Sequence, residues 1–233
     1  MKTKKELLSG DVDNWHKLLK FGGIAALIVV LLIPFQIVIF AAYPPPADPL
    51  SFYELFRQNW FLGLLSLDLL YILNNIIIIF VYLGLFAALR KTNFSLMLIA
   101  LVVGLIGISA YFASTIAFEM LSLANQYFSA GSLELQEQLL AAGHTLLVTY
   151  KGTAFDVYYV MNAITLLTVS RVMFQDHTFS KSTAVWGVVS GILMIIPSTA
   201  GTIGLIFSLL SLIPWVVFSI MIAKRLFYLS KQD

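Results

Sequence analysis

The feature that most constrains this chain is a series of apolar runs, most of them long enough to cross a membrane as a helix. The hydrocarbon core of a bilayer is about 30 Å thick, so a spanning helix needs about 20 apolar residues. The runs cover residues 21–43, 60–89, 96–123, 144–174, 183–197 and 202–223, of which the fifth is short. Hydrophobic residues make up 60% of the chain and charged residues only 11%, whereas a soluble domain carries about 25%. The sequence therefore predicts an all-α polytopic membrane protein, a bundle of six transmembrane helices within residues 21–225.

The distribution of basic residues predicts how these helices are oriented. Loops on the cytoplasmic side of a membrane are enriched in Lys and Arg. Twelve of the 14 basic residues fall on one side of a six-span arrangement: Lys2, Lys4, Lys5, Lys17, Lys20, Arg90, Lys91, Arg171, Lys181, Lys224, Arg225 and Lys231. Of the other two, Arg57 falls on the opposite side and Lys151 falls inside the fourth run. Both termini are therefore predicted to be cytoplasmic, with residues 1–20 as an interfacial segment and residues 226–233 as a tail.

Several classes of function are disfavoured by the composition of the chain. The net charge is only +2 and no basic stripe with interleaved aromatic residues occurs, so no nucleic-acid partner is expected. The sequence contains no Cys, which excludes thiolate nucleophiles and Cys-ligated metals. Neither a P-loop nor a dinucleotide-binding glycine pattern occurs. We therefore expect no cofactor, no bound metal and no catalytic residues, and membrane lipids as partners.

Ionisable side chains inside the apolar runs are the best candidates for a functional site. Each costs about 2.5–3.5 kcal/mol at the centre of a spanning helix, and such residues usually face the bundle interior. They are Asp68, Glu119, His144, Lys151 and Asp156, and counting along the helices places all five in the outer half of the membrane. Their shared depth predicts a polar cavity lined by the second, third and fourth spans.

Helical phase selects the side chains that would line this cavity. At about 100° per residue, Asp68, Tyr71 and Asn75 share one face of the second span. By the same arithmetic His144, Lys151 and Tyr158 share one face of the fourth span, and Lys151 is predicted to pair with Asp68 or Glu119. Asp156 is turned about 140° away from Lys151, either towards another helix or back towards its own Thr149 and Gly152. The predicted ligand-binding residues are Asp68, Tyr71, Asn75, Glu119, His144, Lys151, Asp156 and Tyr158.

These residues favour a binding or transport-related role for a small amphiphile or lipid. A few polar groups among aromatic side chains are typical of sites for such ligands. An architectural ion pair between packed helices is the plain alternative for the same cluster. Two further alternatives stay open: a membrane-embedded hydrolase in which His144, Asp68 and Glu119 hold zinc, and a non-catalytic subunit that binds a protein partner in a larger membrane complex.

Three local patterns predict structure rather than function. Ser132, followed by Glu134, is typical of a helix N-cap. Gly187 and Gly191 form a pair of small residues four apart, which indicates close helix packing. Pro34 and Pro214 lie inside the first and sixth apolar runs, where they predict kinks.

Short motifs spread along the chain resemble those of one bacterial membrane family. They are LDLLYILNN at 67–75, AALRK at 87–91, MLSL at 120–123 with QY at 126–127, AAG at 141–143, GTAF at 152–155, SRVM at 170–173 and FSK at 179–181. Over about residues 7–229 the chain is similar to the six-span family catalogued as domain of unknown function 4386. The resemblance implies a bacterial plasma-membrane protein with six helices, and it implies no particular activity.

Overall fold

The regular structure of the chain is α-helical, as predicted. The computed structural model describes the backbone of residues 4–232 and the side chains of residues 15–232, so residues 1–3 and Asp233 of the predicted terminal segments lie outside it. Within residues 4–232 the helices are α1 (Lys4–Ala42), α2 (Pro49–Gln58), α3 (Trp60–Ser66), α4 (Leu69–Leu89), α5 (Phe94–Ser114), α6 (Ala117–Ser129), α7 (Leu133–Tyr150), α8 (Thr153–Phe174), α9 (Lys181–Leu193) and α10 (Gly201–Leu229).

Five helical stretches in the described residues are long and apolar enough to cross a membrane. They are Trp15–Ala42, Leu69–Leu89, Phe94–Ser129, Leu133–Phe174 and Gly201–Leu229. These stretches bear out the prediction of a helical, multi-pass membrane protein. The predicted fifth span corresponds to α9, which has 13 residues and a length of about 20 Å, less than the thickness of a bilayer core. The count of six spans therefore stays a prediction.

Three of the predicted spans are each divided into two helices. The stretch 60–89 breaks at Leu67 and Asp68, the stretch 96–123 breaks at Thr115 and Ile116, and the stretch 144–174 breaks at Lys151 and Gly152. The helices on the basic side of these breaks, α4, α5 and α8, have 21, 21 and 22 residues. At 1.5 Å per residue each is about 32 Å long, which matches a bilayer core. The breaks therefore separate a membrane-length bundle from a second group of helices.

The bundle is a closed ring of six helices, hereafter the ring. Its order is α1, α4, α5, α8, α9 and α10, and α10 returns to contact α1. Glycines permit close approach in this ring. A Cβ at Gly22 of α1 would lie 2.8 Å from Gly84 Cα of α4. A Cβ at Gly187 of α9 would collide with Ser170 Oγ of α8, and one at Gly191 would lie 2.9 Å from Leu167 Cγ, which confirms the predicted packing role of this pair.

The remaining helices α2, α3, α6 and α7 form a small domain, hereafter the cap. They share a hydrophobic core of their own, in which Phe52, Tyr53 and Phe56 of α2 meet Leu64 of α3 and Met120 of α6. The Tyr53 hydroxyl donates a hydrogen bond of 2.8 Å to the Leu139 carbonyl of α7. The cap begins after the C-terminal end of α1, so it lies at the opposite end of the ring from Arg90 and Lys91, which follow α4, and from Lys181, which begins α9.

Local capping explains where several helices begin. Asn93, Ser132 and Ser180 each accept a hydrogen bond from the backbone N–H three residues ahead, at 3.1, 3.2 and 3.1 Å. This bond satisfies a backbone donor that a helix leaves free in its first turn. The predicted cap at Ser132 is confirmed. The helices α1 and α10 both continue through their prolines, Pro34 and Pro214.

Thiol labelling should reveal which end of the molecule faces out. The chain has no Cys, so single cysteines can be introduced at Ser51 and Ser129 in the cap and at Thr92 and Ser180 at the other end. If the basic loops are cytoplasmic, an impermeant maleimide added to intact cells should label only Ser51→Cys and Ser129→Cys. Labelling of Thr92→Cys in intact cells would contradict this orientation. Permeabilised cells, in which all four variants should react, provide the control.

Candidate functional site

The ring helices line a partly open cavity of about 80 Å³, hereafter the cavity. It is lined from α1, α4, α8 and α10, with Met194 beyond the end of α9. The lining residues are Leu32, Ile33, Gln36, Leu70, Tyr71, Asn74, Ile78, Tyr82, Tyr158, Tyr159, Asn162, Leu166, Met194, Ser208, Ser211, Leu212 and Trp215. Asn74 and Tyr158 lie five residues from the starts of α4 and α8, about 8 Å from their cap-facing ends. The cavity therefore begins within about 8 Å of the cap and extends to Tyr82 and Leu166 near the middle of the ring. The prediction that the third span lines it is wrong, because α1 and α10 line it and no described residue of α5 or α6 does.

Hydrogen bonds tie together three helices around the cavity. The Tyr82 hydroxyl of α4 donates to Asn162 Oδ1 of α8, and Asn162 Nδ2 donates to the Tyr158 carbonyl at 2.8 Å. The hydroxyls of Tyr159 on α8 and Ser208 on α10 are 2.7 Å apart. These bonds hold tyrosine rings against the cavity and leave the helix α1 outside the network.

The polar side chain that α1 contributes has no hydrogen-bond partner. Gln36 is only 6% exposed, and neither its Nε2 nor its Oε1 is bonded. The buried Oδ1 of Asn74 on α4, which also lines the cavity, is unbonded too. A buried polar group without a partner costs about 1–3 kcal/mol. Gln36 and Asn74 therefore line the cavity with unbonded polar atoms, which lowers the stability of the empty protein. A bound molecule with complementary hydrogen-bonding groups would remove this cost.

Two of the eight predicted ligand-binding residues, Tyr71 and Tyr158, line the cavity. Asn75 is fully buried next to it, and its Nδ2 donates a hydrogen bond of 3.0 Å to the Tyr71 carbonyl. Its neighbour Asn74 lines the cavity instead, because the lining face of α4 follows Tyr71, Asn74 and Ile78. The helical phase predicted for α4 was thus wrong by about one residue.

The structure places Asp68 in the junction between cap and ring. It precedes α4 with a left-handed backbone (φ 64°), and its side chain is 7% exposed. The hydroxyl of Tyr150, the last residue of α7, donates a hydrogen bond to its carboxylate. The predicted partner, Lys151, is exposed instead. The prediction assumed one continuous helix through 144–174, and the break after Tyr150 changes which side chain faces Asp68.

The other predicted charges lie apart from the cavity. Glu119 and His144 are exposed on the cap, where Glu119 borders an open groove between α6 and α7 with Ser122 and Thr145. Asp156, in the first turn of α8, accepts a hydrogen bond from Thr199 in the turn that joins α9 to α10. Asp156 thus contacts a turn between two other ring helices, which agrees with the part of the prediction that turned it away from Lys151. The structure divides the eight predicted residues among the cavity, the junction, the cap surface and the α9–α10 turn.

Sequence reasoning missed the lining residues that come from the first and last apolar runs. Gln36 is the one amide or charged side chain in the run 21–43, and a single polar residue in an apolar run could have been predicted to line a site. The prediction of site residues was based on ionisable side chains, and glutamine carries no charge. Ser208 and Trp215 on α10 gave no comparable signal, since Ser and Trp are common in spanning helices.

A separate polar cluster lies at the basic end of the ring, far from the cavity. Asp176, between α8 and α9, accepts hydrogen bonds of 2.5 Å from the hydroxyls of Thr178 and Thr92. The Arg225 side chain of α10 donates to the Thr178 carbonyl. Hydrogen bonds from Thr178 and then Thr92 lower the pKa of Asp176 from 3.8 to about 2. The cluster joins the loop after α4, the loop after α8 and the end of α10.

Replacing Asp176 with asparagine should therefore destabilise the protein in a pH-dependent way. A carboxylate whose pKa is depressed on folding contributes stability above its unfolded pKa, and that contribution is lost as the pH falls from 3.8 towards 2. At pH 7 we expect Asp176→Asn to lower the melting temperature by about 2–4 °C, a value discounted for the partial exposure of the group. The difference from the wild type should shrink below pH 4. A pH-independent difference, or an equal effect of Glu137→Gln on the cap surface, would contradict this role.

The cavity combines aromatic faces with free hydrogen-bonding groups, and its lining residues include no Asp, Glu, Lys, Arg or His. Such a site can bind and orient a small molecule. Within the described residues no group of three His, Asp or Glu side chains is arranged to hold a metal ion. No protein family model, no curated protein and no solved structure matches this chain.

Proposed function

We propose that this protein binds a small amphiphile in the cavity and serves a binding or transport-related role in a bacterial plasma membrane. In this proposal the chain crosses the membrane six times, with α9 as a short fifth span and both termini in the cytoplasm. The cap then faces the outside, and the cavity lies in the outer half of the bilayer. Membership of the six-span bacterial family that the motifs resemble is part of the same proposal.

The observation that carries the proposal is the buried, unbonded side chain of Gln36. Within residues 31–42 of α1, Gln36 is the one residue that is buried. Its buried amide faces a space large enough for a small molecule. A residue selected only for packing at this position would be apolar, because an apolar side chain of similar size removes the cost of an unbonded polar group. A glutamine is favoured there if a ligand supplies its missing partners.

Aromatic side chains around the cavity support an amphiphile as the ligand. Tyr71, Tyr82, Tyr158 and Tyr159 line the cavity, and Trp215 adds a fifth aromatic residue from α10. Leu32, Ile33 and Leu212 complete an otherwise apolar wall. Sites for small ligands typically combine such a wall with a few polar groups that fix orientation. Here Gln36 and Asn74 are those polar groups.

The substitution Gln36→Leu tests this function by the sign of its effect on stability. If Gln36 serves a ligand, leucine removes an unbonded polar group and should raise the melting temperature of the empty protein by about 2–4 °C. The variant should also lose small molecules that co-purify with the wild type in mild detergent, as measured by mass spectrometry of the intact protein. Gln58→Leu, at an exposed position in the cap, is the matched control and should change neither property. A lower melting temperature with unchanged co-purification would show that Gln36 is structural.

A further inference from the structure

The wall of the cavity formed by α1 and α10 is loosely packed in its cap-facing half. Along residues 201–213 of α10 only Gly204 and Ser211 are buried, and along residues 31–42 of α1 only Gln36 is. The large apolar side chains of these segments face outwards: Leu31, Phe35, Val38, Ile203, Leu209 and Ile213 are each between 56% and 65% exposed. The two segments are therefore held by few interior contacts.

The other halves of the same two helices are packed tightly. Ala25, Ala26 and Val29 of α1 are at most 4% exposed, and Phe218 and Ile222 of α10 are fully buried. The change from mostly buried to mostly exposed side chains occurs close to Pro34 in α1 and Pro214 in α10. Proline removes one backbone hydrogen bond of a helix and weakens the helix there. Both helices are thus packed closely at the basic end and have few buried side chains beyond their prolines.

Parting of these segments would open the cavity sideways, into the bilayer. Leu32, Ile33 and Gln36 line it from α1, and Ser208 and Leu212 line it from α10. A molecule that enters by this route must come from the bilayer, and any hydrocarbon tail it has can remain in the bilayer while its headgroup occupies the cavity. A lipid has both the location and the tail that this route requires.

The polar groups of the cavity specify the headgroup. The buried unbonded atoms among the lining residues are two acceptors, Gln36 Oε1 and Asn74 Oδ1, and one donor group, Gln36 Nε2. A hydroxyl both donates and accepts, so two hydroxyls can serve all three. A charged headgroup would lose its hydration without meeting an opposite charge among the lining residues. At about 10–15 Å³ for each water-sized group, the volume of the cavity admits a headgroup of about six non-hydrogen atoms, the size of glycerol.

We infer that the ligand is a lipid with a small, uncharged, hydroxylated headgroup, such as a monoacylglycerol, admitted from the bilayer between the cap-facing halves of α1 and α10. This inference rests on the proposed function, because it uses the same cavity and the same glutamine. It adds the chemical class of the ligand and the route by which it arrives.

Thermal stabilisation by three lipids with one acyl chain tests the headgroup. The purified protein in detergent is mixed with 1-monooleoylglycerol, with oleic acid at pH 8, or with methyl oleate, which carries no hydrogen-bond donor. We expect 1-monooleoylglycerol alone to raise the melting temperature, by about 5 °C at saturation. The rise should disappear in Gln36→Leu and persist in Gln58→Leu.

The outcomes separate this inference from the proposed function. If oleic acid or methyl oleate stabilises the protein through Gln36 as strongly as 1-monooleoylglycerol does, the headgroup is wrong and binding in the cavity stands. If none of the three stabilises it and the wild type also carries no co-purified small molecule, both the inference and the proposed function fail. If all three stabilise Gln36→Leu as well, they bind elsewhere, and the headgroup inference is overturned.

A cysteine at Leu212 tests the sideways route. In liposomes, Leu212→Cys should react with an uncharged, membrane-soluble maleimide and not with a sulfonated one, because only the first can approach from the lipid. Prior addition of 1-monooleoylglycerol should slow the reaction several-fold. Ser129→Cys on the cap surface should react with both reagents and show no protection. Reaction of Leu212→Cys with the sulfonated reagent would show access from water and overturn the route.

Discussion

Replacing Gly84 with leucine should prevent the ring from assembling. A Cβ at Gly84 would lie 2.8 Å from the Cα of Gly22 on α1, closer than van der Waals contact allows. The obstacle is backbone rather than the end of a flexible side chain, so α1 and α4 would have to move apart. Overpacking usually costs about 1–3 kcal/mol and more where the neighbours cannot yield. We expect a loss of several kcal/mol, seen as little monodisperse protein in size-exclusion chromatography.

Two other glycines provide matched controls for this effect. A Cβ at Gly131 would have no atom within 4 Å of it, so Gly131→Leu should behave as the wild type. A Cβ at Gly23 would meet the ring of Phe227 at 3.2 Å, and this side chain can shift. Gly23→Leu should therefore destabilise the protein less than Gly84→Leu does. Equal behaviour of the three variants would show that the close approach of α1 to α4 does not govern stability.

Replacing Tyr150 with phenylalanine should lower the free energy of unfolding by more than the loss of one ordinary hydrogen bond does. Tyr150→Phe leaves the Asp68 carboxylate, which is 7% exposed, without the donor that the structure provides. Leaving a buried charged acceptor without its hydrogen bond costs about 1–3 kcal/mol or more, and the group lowers this cost by taking up a proton. We expect Tyr150→Phe to lower the free energy of unfolding by about 2–4 kcal/mol. Tyr43→Phe, at a tyrosine that is 55% exposed, should have little effect.

A double substitution tests whether the hydrogen bond between Tyr150 and Asp68 causes the loss of stability in Tyr150→Phe. Asn tolerates the left-handed backbone of Asp68 better than most residues, so Asp68→Asn removes the charge without adding backbone strain. In the Asp68→Asn background the further change Tyr150→Phe should cost about 1 kcal/mol or less, because no carboxylate is left unpaired. Simple addition of the two single effects would contradict a direct interaction.

The membrane class and much of the helical structure could be predicted from the sequence, because both depend on residues that are close together in the chain. Apolar runs of about 20 residues make membrane spanning favourable wherever the rest of the chain lies. The predicted cap at Ser132 bonds a backbone group only three residues away. Helical phase also placed Tyr71 and Tyr158 on the faces of α4 and α8 that line the cavity.

Only the tertiary structure decided which side chains meet. The breaks at Asp68, Thr115 and Gly152 lie inside apolar stretches that are each long enough to form one continuous helix, so length and mean hydropathy did not reveal them. Each break turns the residues on its far side away from the phase of a continuous helix, and for this reason Asp68 meets Tyr150 rather than Lys151. Gln36 was visible in the sequence as a lone amide, and its meaning depended on whether another helix supplied a partner. The packing of the ring leaves it facing the cavity instead, because the cap-facing half of α1 is not drawn into the hydrogen bonds that join α4, α8 and α10.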